Sequence, residues 1–365
     1  MPADISPWRY LSIGDLAFGD GIGERRCMTV LVTGAAGFIG YHLATRLLAD
    51  GHQVVGFDNF NAYYDVKLKE SRAERLSRQN GFTLVRGDLE NQEDIDQTFS
   101  ETPFTHVVHL AAQVGVRYSA KNPRAYVGGN IVGFMNLLEA CRAQPPIHVV
   151  FASTSSVYGA STARPYKESA AIAHPLSLYA ATKQANEGIA HTYAHVFGLA
   201  MTGLRFFTVY GPWGRPDMAA YRFVSRILRN EPIDVYNNGD MERDFTYVDD
   251  VVEGVVRVMK DIPKPASAWD GSHPDHGASG TAPFRILNVG RGEPVNLMDF
   301  ITTIELALGI KAKTNLVPMQ PGDMSRTWCD TSSMETAVDY RPQVHLTEGI
   351  QNYVAWFKDY YGTNP

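Results

Sequence analysis

Two kinds of hydrophobic pattern alternate along the chain between residues 28 and 206. Short apolar runs stand at 30–33, 53–58, 82–86, 106–110 and 148–152, and amphipathic stretches separate them at 38–49, 93–99 and 123–143. Apolar runs of this length are typical of parallel strands that are buried on both faces. Strands that alternate with helices favour right-handed helical crossovers. The pattern therefore predicts an α/β fold built on a Rossmann-type, doubly wound parallel sheet.

The regular alternation stops after residue 206. Gly-, Pro- and Arg-rich sequence follows, with a helical pattern at 219–229 and a strand–helix unit at 244–260. Pro, Gly and Ser concentrate again at 264–283 and indicate an exposed loop. Helical patterns return at 297–308 and 346–360. We therefore predict a smaller, discontinuous α/β C-terminal domain that binds the substrate.

These changes of pattern predict the domain boundaries. They are a disordered N-terminal extension at 1–27, a Rossmann domain at 28–205 to which 237–262 return, a substrate domain at 206–236 and 284–365, and a flexible loop at 263–283. The extension contains Pro, Gly and acidic residues and has no apolar core of signal-peptide length.

Composition excludes several classes of protein. Of the 365 residues, 44% are hydrophobic and 20% charged, as in ordinary globular proteins. The net charge of −6 argues against a nucleic-acid partner. The chain has no run of about 18 or more apolar residues, so we expect no membrane partner. Three widely separated cysteines favour a reducing cytoplasm over a disulfide framework. His273 and His276 lack other ligands nearby, and we predict no metal.

Three glycines follow the first predicted strand and open the first predicted helix. They are Gly34, Gly37 and Gly40, one residue removed from the Gly-x-Gly-x-x-Gly spacing. Such glycines permit a tight turn and a close approach of the backbone to a pyrophosphate. A glycine-rich turn without a ligand is the alternative, but the strand–turn–helix context is the one that a dinucleotide site requires.

Two aspartates follow the next predicted strands. Asp58 ends the second strand, 18 residues after Gly40, where a carboxylate can accept both hydroxyls of a ribose and repel a 2′-phosphate. This position favours NAD over NADP. Asp88 follows the third strand together with Leu89, and we expect it at the adenine edge, with capping of the next helix as the alternative.

Tyr179 and Lys183 stand four residues apart in a helical segment and so project from one face. Phenols have an ordinary pKa near 10, and a neighbouring cation favours the phenolate. The pair therefore predicts a tyrosine base with a pKa lowered by Lys183 and by an oxidised nicotinamide. Hydroxyl-bearing residues at 153–156 end the fifth strand, where the ligand crevice of such a sheet lies.

Arginines concentrate in the later part of a chain whose net charge is negative. They include Arg205, Arg215, Arg222, Arg226 and Arg243. Guanidinium groups bind diphosphates and carboxylates with two parallel hydrogen bonds, so these residues predict a local anion site. Any one of them could instead form a surface ion pair, and Arg243 is the strongest single candidate.

With these residues assembled, the chain resembles the extended short-chain dehydrogenase/reductases from about residue 28 to residue 361, and in particular the UDP-glucuronate 4-epimerases among the nucleotide-sugar epimerases. The phrases that carry the resemblance are Val-Thr-Gly-Ala-Ala-Gly-Phe-Ile-Gly at 32–40, Asp-Asn-Phe-Asn-Ala-Tyr-Tyr-Asp at 58–65, His-Leu-Ala-Ala-Gln-Val-Gly-Val-Arg-Tyr-Ser at 109–119, Arg-Phe-Phe-Thr-Val-Tyr-Gly-Pro-Trp-Gly-Arg-Pro-Asp-Met at 205–218 and Pro-Met-Gln-Pro-Gly-Asp at 318–323. The glycine and Tyr-x-x-x-Lys motifs are shared by the whole superfamily, and the 205–218 phrase is far more specific.

The resemblance implies a role for each matching residue. Thr154, Tyr179 and Lys183 would be catalytic. The implied NAD site comprises Gly34, Gly37, Phe38, Ile39, Gly40, Asp58, Asn59, Asp88, Leu89, Leu110, Ala111, Ala112, Gln113 and Asn130 together with Tyr179 and Lys183. The implied substrate site comprises Gly115, Ser155, Ser156, Thr208 and Arg215 around a sugar carboxylate, Arg243 and Asp323 at the nucleotide, and Arg117 and Arg222. Gln320 replaces an arginine of the glucose/galactose epimerases, so another residue must neutralise part of the diphosphate.

The implied reaction is the interconversion of UDP-glucuronate and UDP-galacturonate, with a UDP-hexuronic acid as substrate and NAD as cofactor. A UDP-glucuronate decarboxylase would carry Glu at the position of Ser156, and a 4,6-dehydratase Asp-Glu at Ser155-Ser156. A UDP-glucose/UDP-galactose 4-epimerase is the main alternative, followed by a UDP-glucuronate decarboxylase or a non-catalytic NAD-binding relative. The helices at 123–143 and 178–197 resemble those that pair in family dimers, which implies a homodimer.

Overall fold

A seven-stranded parallel sheet forms the centre of the molecule. The computed structural model describes residues 27–266, 281–320 and 323–363. The elements up to the sixth strand are β1 (Thr29–Thr33), α1 (Phe38–Ala49), β2 (Gln53–Asp58), α2 (Val66–Ser77), β3 (Phe82–Arg86), α3 (Gln92–Glu101), β4 (His106–His109), α4 (Pro123–Val127), α5 (Gly133–Ala143), β5 (His148–Thr154), α6 (Leu178–Phe197) and β6 (Met201–Phe206). A π-helical segment, Gly128–Val132, joins α4 to α5 without a break.

The second part of the chain has shorter strands. Its elements are β7 (Thr208–Tyr210), α7 (Ala219–Leu228), β8 (Ile233–Tyr236), β9 (Glu242–Tyr247), α8 (Val248–Lys260), β10 (Phe284–Val289), β11 (Pro294–Asn296), α9 (Leu297–Leu308), β12 (Thr314–Val317), β13 (Arg326–Thr327), α10 (Ser332–Val338) and α11 (Leu346–Tyr361). None of the helices in the described ranges combines the length and the apolar character needed to cross a membrane.

The central sheet has the strand order β10-β6-β5-β4-β1-β2-β3, with every neighbouring pair parallel. This confirms the predicted fold class. Strands β1 to β3 extend towards one edge of the sheet, and β4 to β6 extend towards the other edge. The strand order therefore reverses where β1 and β4 lie side by side, and doubly wound sheets bind ligands in the crevice at such a switch point.

Apolar side chains cover both faces of this sheet. On one face, α1 and α8 contribute Leu43, Leu47, Val251 and Val255 to a cluster with the strands. On the other face, α5 and α6 contribute side chains such as Phe134 and Ala190. The periodic apolar stripes of these helices therefore fix the layered architecture, and they hold the carboxyl ends of the strands in a common row.

A second lobe packs beside the carboxyl ends of the strands. Its sheets are β11-β9-β13 with β7 on β9, and the pair β12-β8. Helices α7, α9 and α11 enclose a separate core that includes Val224, Phe300, Ile304 and Phe357. The lobe thus supplies one wall of the crevice.

The structure differs from the predicted boundaries at two segments. Strand β10, predicted to begin the substrate domain's last part, pairs in parallel with β6 and completes the central sheet. Strand β9, predicted to return to the Rossmann domain at 237–262, belongs to the second lobe, and within that segment α8 packs on α1. A strand's partner depends on which edge is open in the folded molecule, and hydrophobic pattern alone does not specify it.

Two further predictions fall largely outside the described residues. The extension at 1–27 is described only at Cys27, and the loop at 263–283 only at its two ends. Cys27, Cys141 and Cys329 are free cysteines; Cys27 is exposed, and the other two are buried.

Candidate active site

A cavity of about 1190 Å³ opens at the carboxyl ends of the parallel strands, between the central sheet and the second lobe. The predicted site residues from Gly34 to Asp323 line this one cavity, with Asn130 as the exception. The fold therefore brings together residues from both ends of the sequence, and a continuous space connects the glycine turn to the arginines.

The glycine turn leaves no room for side chains. Gly34 has φ +73°, and its N–H donates to the Phe57 carbonyl oxygen at 2.7 Å. A Cβ on Gly40 would lie 2.1 Å from the Gly34 carbonyl oxygen, so any side chain there would displace the turn. Helix α1 begins after Gly37 without a side-chain cap, which leaves its first N–H groups available to an anion.

Asp58 is held in place by the backbone of two loops. Its carboxylate accepts the N–H of Ala36 at 3.0 Å and the N–H of Phe60 at 2.9 Å. Burial raises the pKa of this carboxyl group above its ordinary value. A carboxylate has about four acceptor positions, so two remain for a ribose diol.

Asp88 does not cap the helix that follows it. Its carboxylate accepts the N–H of Glu90 at 2.9 Å and the Asn59 side-chain amide at 3.1 Å. Asn91 caps α3 instead, by accepting the N–H of Glu93. The alternative interpretation of Asp88 is therefore wrong, and the Asn59–Asp88 bond closes the edge of the cavity next to Asp58.

Asn130, predicted as a cofactor contact, does not line the cavity. It is 1% exposed and lies in the π-helical segment. Its side chain accepts the Gln113 N–H at 2.7 Å and donates to the Gln113 carbonyl and to the Thr182 hydroxyl. Both ends of its amide are thereby used, and Asn130 ties the loop after β4 to helix α6.

Helix α6 carries Tyr179 and Lys183. Ser177 caps the helix by accepting the Ala180 N–H at 3.1 Å, a contact whose loss costs about 1 kcal/mol in comparable helices. The cap fixes the first turn, which contains Tyr179. The ring of Tyr126 meets the Tyr179 ring edge-on, with centroids 6.2 Å apart. The cap and this ring contact together hold Tyr179 at the cavity wall.

Burial raises the pKa of Tyr179 above its ordinary value, whereas the sequence predicts a lowered pKa. The Arg215 guanidinium opposes this effect most strongly, followed by a hydrogen bond with Thr154. The leading cation for Tyr179 in this structure is thus Arg215, which lies on a different segment of the chain, beyond β7. Helical spacing points to Lys183 because it reports neighbours within one helix and says nothing of a cation that the fold brings from elsewhere.

Lys183 is 1% exposed, and its ammonium donates to the Ala152 carbonyl at 2.9 Å. Burial lowers the pKa of Lys183 to about 8, against the opposing effect of Glu187. An ammonium has three N–H donors, so two are left for a ligand or a neighbouring hydroxyl. The group remains largely charged at neutral pH.

Arg215 already has an anionic partner. Its Nε and Nη2 donate to the two oxygens of Asp217 at 3.0 and 2.7 Å. Tyr63 donates a further hydrogen bond to Asp217 at 3.2 Å. A carboxylate on the substrate is therefore not the sole possible partner for this arginine, because the chain itself supplies one two residues later.

Two other predicted substrate residues are paired across the cleft. Arg117 donates to Asp323 at 2.8 Å, and its guanidinium also lies over the Tyr236 ring. Arg243 donates through Nη1 to the carbonyls of Glu242 and Ser325. Burial lowers the pKa of Arg243, with Asp323 as the largest opposing charge. Arg117 and Asp323 thus form an ion pair with each other within the protein.

Three residues with a bearing on the site were not predicted from the sequence: Tyr63, Asp217 and Glu187. Asp217 follows Arg215 by two positions, and Glu187 follows Lys183 by four, a spacing that puts it on the same helical face. Those spacings were available signals. Tyr63 offered none, because its contact with Asp217 joins residues 154 positions apart.

A parallel sheet with a glycine turn, an aspartate at the end of β2 and a Tyr–Lys pair at the cavity define a dinucleotide-binding enzyme of the Rossmann class. The model of the NAD dependent epimerase/dehydratase family matches residues 30–268. This chain belongs to that family, as predicted.

Within this family, the chain is similar to several named nucleotide-sugar epimerases. A probable UDP-glucuronate 4-epimerase from Rhizobium meliloti is 46% identical over 334 residues, which cover 92% of this chain and 98% of the relative. The UDP-glucuronic acid 4-epimerase from Bacillus cereus, crystallised with UDP-glucuronic acid and NAD, has a TM-score of 0.80 at 34% identity and covers 91% of this chain and 99% of that one. The UDP-glucose 4-epimerase from Thermus thermophilus, crystallised with NAD, has a TM-score of 0.76 at 31% identity, with 91% and 100% covered.

Proposed function

We propose that this protein is an NAD-dependent UDP-glucuronate 4-epimerase, which interconverts UDP-glucuronate and UDP-galacturonate by transient oxidation at C4 of the sugar. One observation carries the proposal: Tyr179 lines the same cavity as the glycine turn and the arginines, with Thr154 hydrogen-bonded to it and the Arg215 guanidinium as the leading cation acting on it. The named relatives support the same reaction.

The residues present fit NAD. A pyrophosphate fits the glycine turn, because Gly34, Gly37 and Gly40 have no Cβ and the start of α1 has no side-chain cap. The adenosine ribose fits the Asp58 carboxylate. When bound, NAD supplies a hydride acceptor that returns the same hydride, so no second redox substrate is consumed. Lys183, with two free donors, would hold the nicotinamide ribose.

Tyr179 acts as the base in this proposal. Its phenolate takes the proton from the 4-hydroxyl group as that carbon is oxidised, and it returns the proton when the 4-keto sugar is reduced on the opposite face. Thr154 orients the reacting hydroxyl. Because burial raises the pKa of Tyr179 in the protein alone, a further positive charge is needed to favour the phenolate, and the bound nicotinamide is the expected source.

The 4-keto intermediate of a uronic acid is a β-keto acid and loses carbon dioxide readily. An epimerase must therefore hold the carboxylate so that the bond to it stays out of line with the carbonyl π system. Ser155, Ser156 and Thr208 line the same cavity as Tyr179 and provide neutral donors for this purpose. Neither serine position carries the carboxylate expected of a decarboxylase or a dehydratase.

Arg222 is the best candidate for the diphosphate of the substrate. It lines the cavity on α7, and it takes part in no ion pair with another described residue, whereas the neighbouring Arg226 pairs with Asp234. It can thus supply the charge that Gln320 lacks.

We also infer a homodimer. The segment 123–143 and helix α6 expose Val127 (47%), Val132 (44%), Val196 (56%) and Phe197 (43%) to solvent. Exposed apolar side chains on two neighbouring helices support an interface between copies. Light scattering of the purified protein should give twice the chain mass, and the mass of one chain would contradict the inference.

A UDP-glucose/UDP-galactose 4-epimerase is the second candidate. The Arg215–Asp217 pair favours it, because an arginine that is neutralised within the protein does not require an acidic sugar. The similarity to the Thermus thermophilus enzyme is consistent with this alternative.

The two candidates are separated by product analysis. Purified protein is incubated with UDP-glucuronate or with UDP-glucose, without added NAD, and the products are resolved by chromatography and mass spectrometry. We expect UDP-galacturonate from the first substrate at a higher rate than UDP-galactose from the second. The reverse preference would select the hexose epimerase, and activity with neither substrate would contradict both.

A further inference from the structure

A buried ion pair lies one turn along α6 from Lys183. Glu187 on α6 and Arg205 on β6 are 6% and 4% exposed. Arg205 donates through Nε and Nη2 to the two Glu187 oxygens at 2.9 and 2.8 Å, and through Nη1 to the Glu168 carbonyl. Such two-pronged pairs fix orientation as well as distance.

The pair also fixes the helix against β5. Ser153 Oγ donates to Glu187 at 2.5 Å, and one residue earlier the Ala152 carbonyl accepts the Lys183 ammonium at 2.9 Å. Two consecutive residues of β5 thus hold two consecutive turns of α6. Since Tyr179 lies one turn before Lys183, the same contacts set how far the tyrosine reaches into the cavity.

Few charges face Lys183. Glu187 acts on it from the same helix, and His109 at the end of β4 acts on it from the sheet. Arg205 on β6 pairs with Glu187 and reaches Lys183 only through that carboxylate. Burial holds the pKa of His109 well below its ordinary value, so that ring is neutral. Glu187 is therefore the negative charge that keeps the Lys183 ammonium protonated, and Arg205 limits the strength of its effect.

We propose that Glu187 and Arg205 are positioning residues that set both the place and the charge of Lys183. The proposal rests on the proposed role of Lys183 in epimerisation. Neither residue lines the cavity, so both act on the reaction through the lysine.

Substitutions of the two partners should have opposite effects. Glu187→Gln keeps the shape and removes the negative charge, so Lys183 should lose its proton at a pH about one unit lower. Arg205→Met leaves the charge of Glu187 uncompensated, so Lys183 should keep its proton to a pH about one unit higher. Plain structural damage would move both variants in the same direction.

The experiment follows Lys183 itself in the full-length protein. Lysine labelled with ¹³C at the ε carbon is incorporated, the Lys183 resonance is assigned with Lys183→Arg, and its chemical shift is followed against pH. The alkaline limb of the pH–rate profile is measured in parallel and should shift in the same direction. The titration needs no substrate, so a failure of the proposed epimerase activity leaves this measurement interpretable.

Matched controls separate charge from contact. Ser153→Ala removes one hydrogen bond to Glu187 and should leave the titration of Lys183 in place, and Glu187→Asp should retain the parent midpoint. If Arg205→Met does not fold, Arg205→Gln is measured against the same expectation. An unchanged midpoint in Glu187→Gln, or shifts of the same sign in the Glu187 and Arg205 variants, would overturn the proposal.

Discussion

The two halves of the cavity are built in different ways. The cofactor half, which includes the glycine turn at 34–40 and Asp58, consists mainly of backbone: a turn with no space for a Cβ, an uncapped helix start and a carboxylate fixed by two N–H groups. The sugar half relies more on side chains, and two of its arginines are already paired with carboxylates of the protein, namely Arg215 with Asp217 and Arg117 with Asp323.

This difference teaches how each half selects its ligand. Backbone groups are placed by the fold and need little rearrangement, so the cofactor half selects by shape. Paired side chains can exchange partners, so a sugar nucleotide must compete with the protein's own carboxylates. We therefore expect substitutions in the cofactor half to act through steric exclusion, and those in the sugar half through charge.

The largest effect is expected at Tyr179, which serves both halves in the proposed reaction. Tyr179→Phe removes the proton acceptor and should leave both halves intact, with a loss of turnover of at least ~10²-fold, the usual contribution of general acid–base catalysis. Turnover of UDP-glucuronate and the NAD content of the purified variant are the measurements. Near-parent turnover would show that another group carries the proton.

In the cofactor half, Gly40→Ala should displace the turn, because the new Cβ would meet the Gly34 carbonyl oxygen at 2.1 Å. We expect NAD affinity to fall by about tenfold to a hundredfold, which corresponds to roughly 1.4–2.8 kcal/mol. Calorimetric titration of NAD measures it. Gly188→Ala on α6, with nothing within 4 Å of its Cβ, is the matched control and should bind NAD as the parent does. Equal binding by both variants would mean that the turn does not contact the cofactor.

In the sugar half, Arg215→Met should weaken use of UDP-glucuronate by about one to two powers of ten in kcat/KM, the value of one charge-assisted hydrogen bond. It should also release some UDP-4-keto-pentose by decarboxylation, because the carboxylate can rotate. The same measurement with UDP-glucose supplies the comparison. An equal loss for both substrates would indicate that Arg215 acts on Tyr179 and not on the sugar carboxylate.

The smallest effect on the site is expected from His148. This residue begins β5, whereas the cavity lies at the carboxyl end of that strand. His148 is fully buried and hydrogen-bonded to the Met259 carbonyl and the Thr202 hydroxyl, and burial lowers its pKa from 6.5 to about 3. The unfolded chain then binds more protons between these pH values. The contribution of His148 to stability is therefore complete above pH 6.5 and is lost as the pH falls, by about 1–2 kcal/mol at pH 5.

Denaturant unfolding at pH 7 and pH 5 tests this expectation. His148→Gln, which retains hydrogen-bonding groups but does not titrate, should show a smaller difference between the two pH values. The same difference in parent and variant would assign the acid sensitivity to other groups, of which His106, with a pKa lowered by burial to about 4, is the next candidate.

Sequence pattern was sufficient where one segment carries its own information. The bounds of α1, β2, β3 and α9 agree with the ranges predicted from the hydrophobic pattern. The glycine turn was local only in part. A Cβ on Gly37 or Gly40 would meet the Gly34 carbonyl oxygen, whereas a Cβ on Gly34 would meet the backbone of Ala111 after β4. The alternation of strands and helices was enough to specify a parallel doubly wound sheet, and Tyr179 with Lys183 was recognisable from its helical spacing.

The tertiary structure alone decided which groups from distant parts of the sequence interact in the site. Arg215 acts on Tyr179 from a different segment of the chain, Tyr63 contacts Asp217, and the Ala152 carbonyl accepts the Lys183 ammonium. Strand β10 likewise joins β6 in the central sheet, although much of the second lobe lies between them in the sequence. Electrostatic and edge-pairing energies depend on distance and burial in the folded molecule. Separation along the sequence determines neither this distance nor this burial. Most residues of the site could therefore be predicted from the amino-acid sequence, whereas their interaction partners depended on the fold.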